Sequence, residues 1–159
     1  MKYFWVTLKH KWFILLAARK VGLPLWRAIV HDLSKFTRVE LPHYDRQFFG
    51  DKDDPAGFAA AWLHHQNHNP HHWEYWITRS DHSHGASGAV DGCLPMPKTD
   101  VCEMIADWMA ASRAYTGSWD MTKWLSKNLN KIQLHPETRK QVNKILLYGL
   151  GYWIKDFYE

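Results

Sequence analysis

Residues 61–76 read AWLHHQNHNPHHWEYW and hold five of the chain's eleven histidines: His64, His65, His68, His71 and His72. A helix needs one face for a core and one for solvent, and neither calls for this many imidazoles. Imidazole is the commonest protein ligand for transition metals, and it works as a general acid or base near neutral pH. Upstream, His31 and Asp32 stand side by side in AIVHDLSKF. Together these segments point to a metal site assembled from several helices.

The rest of the chain sets the frame for such a site. Its 159 residues suit one domain, residues 1–159, with one real core. Ten tryptophans allow that core to come from few side chains. A formal charge of +4 suits a small anionic substrate as well as it suits nucleic acid, which is not favoured. Cys93 and Cys102 form no CxxC pair and no zinc-finger spacing, so a reduced, cytoplasmic protein is expected. The opening MKYFWVTLKHKWFILLAARK has a short apolar run flanked by charge, which reads as a core helix rather than a leader. No segment is long enough to span a membrane.

Helical periodicity dominates. Residues 3–20 carry Trp5, Leu8, Trp12, Leu15 and Leu16 at helical spacing, and Gly22 ends the run. Pro24 suits the first turn of a helix over 24–35. Thr37 and Glu40 have the spacing of a capping box for a third helix over 38–48. Residues 50–55 form a polar turn before a helix over 56–68, and Asn69-Pro70 reads as cap and first-turn proline of an element over 70–77. Residues 79–98 lack periodicity and predict a long flexible loop of the kind that often serves as a lid. Helices follow over 99–115, capped by Thr99 or Asp100, over 121–128, and over 136–147 before Gly149 and Gly151. The expected fold is all-α, a single-domain bundle of about six to seven helices. A homo-oligomer is compatible with it.

Imidazole beside carboxylate, as in His31-Asp32, makes a borderline-hard donor set for Zn, Mn, Fe, Co or Ni. Lys35 lies four residues after His31, on the same helical face, where a cation can hold a phosphate. Glu103 and Asp107 share an i,i+4 spacing that costs a few tenths of a kcal/mol, roughly, unless a cation lies close by. The segment HKWFILLAARKVGLPLWRAIVHDLSKF resembles the opening of the HD-domain metal-dependent phosphohydrolase superfamily. That resemblance implies a metal held by His10, His31, Asp32 and the distant Asp107. The run HDLSKF, then FFG, AWLHHQNHNPHHWEYW and MPKTDVCEMIADW, also resembles a small family of bacteria and phages. HD-type members with two metals add histidines from mid-chain, which here implies His64 with His72, Asp32 then bridging the ions. His65 and His71 are the substitutes, His68 shares a helical face with His64, and Glu74 is placed to orient an imidazole.

The leading expectation is an enzyme, a phosphohydrolase using one or two divalent transition metal ions on a nucleotide or other small phosphate ester. Lys35, Glu103 and Asp107 would be its catalytic side chains, with Arg19, Arg79 or Arg113 neutralising phosphate charge. A dinuclear iron oxygenase on the same scaffold is the second reading. The third is a binding module for nucleic acid or protein in which the metal is structural. The tryptophans Trp62, Trp73, Trp76 and Trp108 are expected in the core.

Overall fold

The computed structural model of the protein describes residues 1–78 and 88–152. Seven α-helices carry it: α1 (Lys2–Val21), α2 (Leu25–Val30), α3 (Leu41–Phe49), α4 (Pro55–His68), α5 (Lys98–Thr116), α6 (Thr122–Asn128) and α7 (Pro136–Lys144). Short 3-10 turns occupy Leu33–Phe36, Trp73–Trp76 and Leu129–Lys131, and a π turn, Ile145–Gly149, closes α7. Among the described residues there is no strand, only isolated bridges from Ile77 and Val90 to Cys93. The fold is an all-α single-domain bundle. No helix among the described residues is long and apolar enough to cross a membrane. The expected loop over 79–98 lies partly outside the described residues, which include 88–97 but not Arg79, His82 or His84.

The bundle is built around α1 and α5, which share the most extensive packing. Ile14, Ala17 and Ala18 of α1 meet Val101, Ile105, Ala106 and Ala110 of α5, all fully buried. Small residues at these positions let the two backbones approach closely. Leu125, Leu129, Val142 and Leu146 complete this core. A second, smaller cluster joins Tyr3, Leu41, Tyr44 and Ala61, with Phe4 and Phe58 against it. Cys93 and Cys102 are buried and unbridged.

Two expectations about α1 and α2 need correction. The face of α1 that turns inward carries Tyr3, Thr7, His10, Ile14 and Ala17, whereas Trp5, Leu8, Trp12 and Leu16 are exposed. The helix has two apolar stripes, and the one containing His10 wins because its small residues fit against α5. The helix expected over 24–35 stops at Val30. His31 is extended (ψ 132°) and Asp32 takes a left-handed conformation (φ 56°) before the 3-10 turn. A non-glycine residue in that region is uncommon and concentrates at functional sites.

Helix starts also differ from the sequence pattern, for a shared reason. Glu40 does not close a capping box with Thr37, whose hydroxyl donates to the Ser34 carbonyl instead. Asp100 does not cap α5, where Pro97 stands at the cap position. Both carboxylates are buried and spent on partners in the site. Asp54 does cap α4, its carboxylate accepting from the Gly57 amide at 2.9 Å. Asn69 ends α4 rather than opening a new helix, and its side-chain amide donates to the His65 carbonyl at 2.7 Å.

Candidate metal centre

The break at His31-Asp32 is what lets adjacent residues serve one site. On a continuous helix they would point about 100° apart. With the backbone turned at Asp32, both side chains aim inward and both are 1% exposed. The bend at Asn69-Pro70 does the same for His71 and His72, which would otherwise follow the α4 spiral. His10 comes from α1, His65 from α4 and Asp107 from α5, so five segments converge.

They form two donor groups that share Asp32. His10, His31, Asp32 and Asp107 make one, and Asp32, His65, His71 and His72 make the other, with ligand atoms in each within 4.8 Å of one another. The two carboxylate oxygens of Asp32 divide the work. Oδ2 faces His31 Nε2 at 3.3 Å and His10 Nε2 at 3.9 Å, while Oδ1 faces His65 Nε2 at 3.4 Å and His71 Nε2 at 3.5 Å. Asp107 Oδ1 lies 2.9 Å from His10 Nε2 and 3.6 Å from His31 Nε2.

Buried polar atoms are normally hydrogen-bonded, and an orphaned one costs about 1–3 kcal/mol. Here Nε2 of His10, His31, His65, His71 and His72, and Oδ1 of Asp32, are all buried without a well-aligned hydrogen-bond partner, although Asp107 Oδ1 approaches His10 Nε2 to 2.9 Å. Five imidazole nitrogens and a carboxylate oxygen, orphaned together and converging, fit divalent metal ions. The nitrogen and oxygen mixture suits Zn, Mn, Fe, Co or Ni.

The opposite edges of the rings are held. His31 Nδ1 lies 2.9 Å and His71 Nδ1 3.4 Å from Glu103 Oε1. Arg27 fixes Glu103 from behind (Nε to Oε2, 2.7 Å) and also pairs with Asp100. His31, His71 and Glu103 also lie close enough together to hold an ion, but Arg27 already balances the Glu103 charge, which suits Glu103 to orienting the two rings. Glu40 plays the same part for His65, whose Nδ1 is 3.0 Å from Oε2. A carboxylate on the far ring nitrogen fixes the tautomer and makes the near nitrogen a better ligand.

The charges lean on one another. Burial would raise the Asp32 carboxyl, but His31 and Lys35 outweigh it and hold it well below the usual carboxylate range. Lys35 Nζ donates to Asp32 Oδ2 at 2.6 Å, and that carboxylate keeps the half-buried ammonium protonated far above its ordinary range. Burial would lower His31, but Asp32, Asp107 and Glu103 push it well above the ordinary imidazole value. Burial and the neighbouring His71 lower His72 to about 2, so its ring is neutral and ready to ligate.

Of the residues expected at the site, His10, His31, Asp32, His72, Asp107 and Lys35 are brought together. His64 is not: its Nδ1 lies 2.7 Å from Glu40 Oε1, and its ring stacks on His68 at 3.8 Å. His65 and His71 stand in the second group instead, together with His72. His68 is exposed and donates to the His64 carbonyl. Glu74 stays 3.9 Å from His72 Nδ1, too far to orient it by a hydrogen bond. Glu103, expected as a catalytic group, has both oxygens engaged by His31 and Arg27. Glu40 and Arg27 were missed. Glu40 matched a capping signal, and nothing in the sequence pairs Arg27 with a residue 76 positions on.

Two cavities reach the donors. The larger, about 480 Å³, exposes His71, His72 and Asp107 and is walled by Trp62, Trp73, Trp108 and Trp124, with Lys131 among its polar lining. The smaller, about 320 Å³, exposes His10, His72, Asp107 and Lys35. Trp62, expected in the core, therefore lines both cavities, while Trp73, Trp76 and Trp108 do pack against the core. Arg113 stacks over Phe13 and Arg19 is exposed, so Lys131 is the basic side chain at the larger cavity.

No curated protein and no solved structure matches the chain. A family match covers residues 1–147, nearly the whole sequence, and the chain belongs to that group, described as a family of unknown function (DUF5662).

Proposed function

We propose that the protein is a two-metal phosphohydrolase acting on a nucleotide or another small phosphate ester. The observation that carries this reading is the set of orphaned, converging donors on both sides of Asp32. Their order along the chain (His10, then His31-Asp32, then Asp107) is that of the HD-domain resemblance, and its mid-chain histidines become His65, His71 and His72. Metal ions bound there would activate water near neutral pH and polarise a phosphoryl oxygen.

The chain's own residues supply the rest. Asp107 lines both cavities, so its carboxylate can orient an attacking water and accept its proton. Lys35 offers a half-buried ammonium to an anionic oxygen beside Asp32. Glu103 and Glu40 hold His31, His71 and His65 in their ligating tautomers. Trp62, Trp73, Trp108 and Trp124 offer flat apolar walls to the organic part of an ester, and aromatic faces stack on bases. Lys131 can meet a further negative charge.

Metal-loaded protein assayed against a broad panel of nucleotides and phosphomonoesters is expected to release phosphate from at least one class. Inactivity across the panel with both metal positions filled counts against the reading. The three imidazoles of the second group also suit iron. Two irons in the native protein with oxygen-dependent turnover would favour the oxygenase alternative.

A further inference from the structure

The smaller cavity has its own set of polar side chains beside the metal donors His10, His72 and Asp107. Four hydroxyl side chains and one ammonium border it: Tyr3, Thr7, Tyr44, Tyr115 and Lys35. Thr7 is already spent, donating to the Tyr3 carbonyl at 3.0 Å. Tyr44 is not. It is 2% exposed, and its hydroxyl is buried with no hydrogen-bond partner. A phenol is normally buried only where its hydroxyl finds a partner, because one left unpaired costs free energy. The ring is held firmly, stacked on Tyr3 at 5.0 Å and edge-on to Phe58 at 5.3 Å, so the hydroxyl cannot swing elsewhere.

We propose that this cavity is a phosphoryl-recognition chamber. In it Tyr44 and Tyr3, with Lys35 behind them and Tyr115 at the exposed side, donate to the oxygens of a terminal phosphoryl group. The inference rests on the phosphohydrolase reading and names the part of the substrate that enters this side of the site. Lys35 bridges the chamber and the donor groups, because its ammonium sits on Asp32 while its side chain lines the cavity. The phenol hydroxyls and the Lys35 ammonium can each donate to an acceptor-rich anion, while the one carboxylate of this lining, Asp107, belongs to the metal donors. The larger cavity shares Trp62, His72, Asp107, Ala111 and Tyr115 with the smaller one, so the two adjoin at the donors. A terminal phosphoryl group fits that division, with its oxygens among the phenols and its organic part against the tryptophans. A phosphodiester would have to place a second carbon substituent among the donors.

The test is equilibrium binding of two probes to the metal-loaded full chain: inorganic phosphate, and dimethyl phosphate as a diester. Metal content is measured on every sample. Phosphate is expected to bind, with dimethyl phosphate at least about tenfold weaker. Tyr44→Phe and Tyr3→Phe are each expected to weaken phosphate about three- to tenfold while keeping their metal, the size of one lost hydrogen bond. Unchanged phosphate affinity in both variants overturns the proposal, as does equal affinity for the two probes. Phosphate binding that depends on Tyr44, in a protein that hydrolyses no ester, supports the chamber and removes the hydrolase reading. Ester hydrolysis with phosphate binding indifferent to both tyrosines does the reverse.

Discussion

Metal loading should separate His65 from His64. His65 presents Nε2 to Asp32 Oδ1 and Nδ1 to Glu40, while His64 pairs with Glu40 and stacks on His68. His65→Gln is therefore expected to lower the bound metal by about one ion per chain, and His64→Gln to leave it unchanged, read by elemental analysis. Equal losses would refute the assignment. Glu103 makes a second residue-scale prediction. His31 carries a proton held well above the ordinary imidazole range, and that proton must leave before a metal binds. Metal affinity should thus keep rising with pH beyond about 7.5, where a free imidazole of pKa about 6.5 would already have levelled off. Glu103→Gln removes one of the carboxylates that favour the charged ring. The rise should move to lower pH, and affinity at the high-pH plateau should fall about 10- to 100-fold. A competition titration at several pH values measures both, and an unshifted profile would deny Glu103 this role.

Helix α4 carries His65 and depends on how it starts. Asp54 caps it, and Gly57 has no room for a side chain: a Cβ there would lie 2.1 Å from Asp54 Oδ2 and 2.5 Å from His43 Nδ1. Gly to Ala inside a helix ordinarily gains about 0.5–1 kcal/mol. Here Gly57→Ala should instead lower the melting temperature, because the cap must move, and loss of such a cap costs about 0.5–2 kcal/mol. A raised melting temperature would contradict this account of the α4 start. At this scale much was legible in the sequence. The long helices α1, α4 and α5 follow their apolar periodicity and their Gly and Pro punctuation to within a residue or two. What could not be read was which stripe of α1 turns inward, since Trp5, Leu8 and Trp12 repeat as regularly as Ile14 and Ala17. The stop at Val30 was hidden too, because no Gly or Pro marks it. The backbone leaves the helix where His31 and Asp32 both turn into the site. Glu40 and Asp100 carried local capping patterns that the tertiary site overrode.

At the scale of the whole molecule, the donors tie together five segments that otherwise meet through two separate cores. Without an ion, buried imidazoles would face one another and the Asp32 carboxylate would rest on His31 and Lys35 for its countercharge. An ion that binds only the folded state, present at 100 times its dissociation constant, stabilises by about 2.7 kcal/mol. The metal-free protein should therefore melt at a lower temperature and recover on adding Mn, Fe, Co, Ni or Zn. An unchanged melting temperature would mean that the ions do not belong to the fold. The residue types of the site were apparent from the sequence. Their count and pairing needed three dimensions, because neighbours such as His64 and His65 differ only in direction.

The most direct measurement is elemental analysis of protein purified without a histidine tag, on the wild type and Asp32→Asn. Two donor groups that share the Asp32 carboxylate predict about two transition metal ions per chain, with both lost or greatly weakened in Asp32→Asn. A wild-type protein that binds no transition metal, or an Asp32→Asn variant that keeps both ions, would contradict the account.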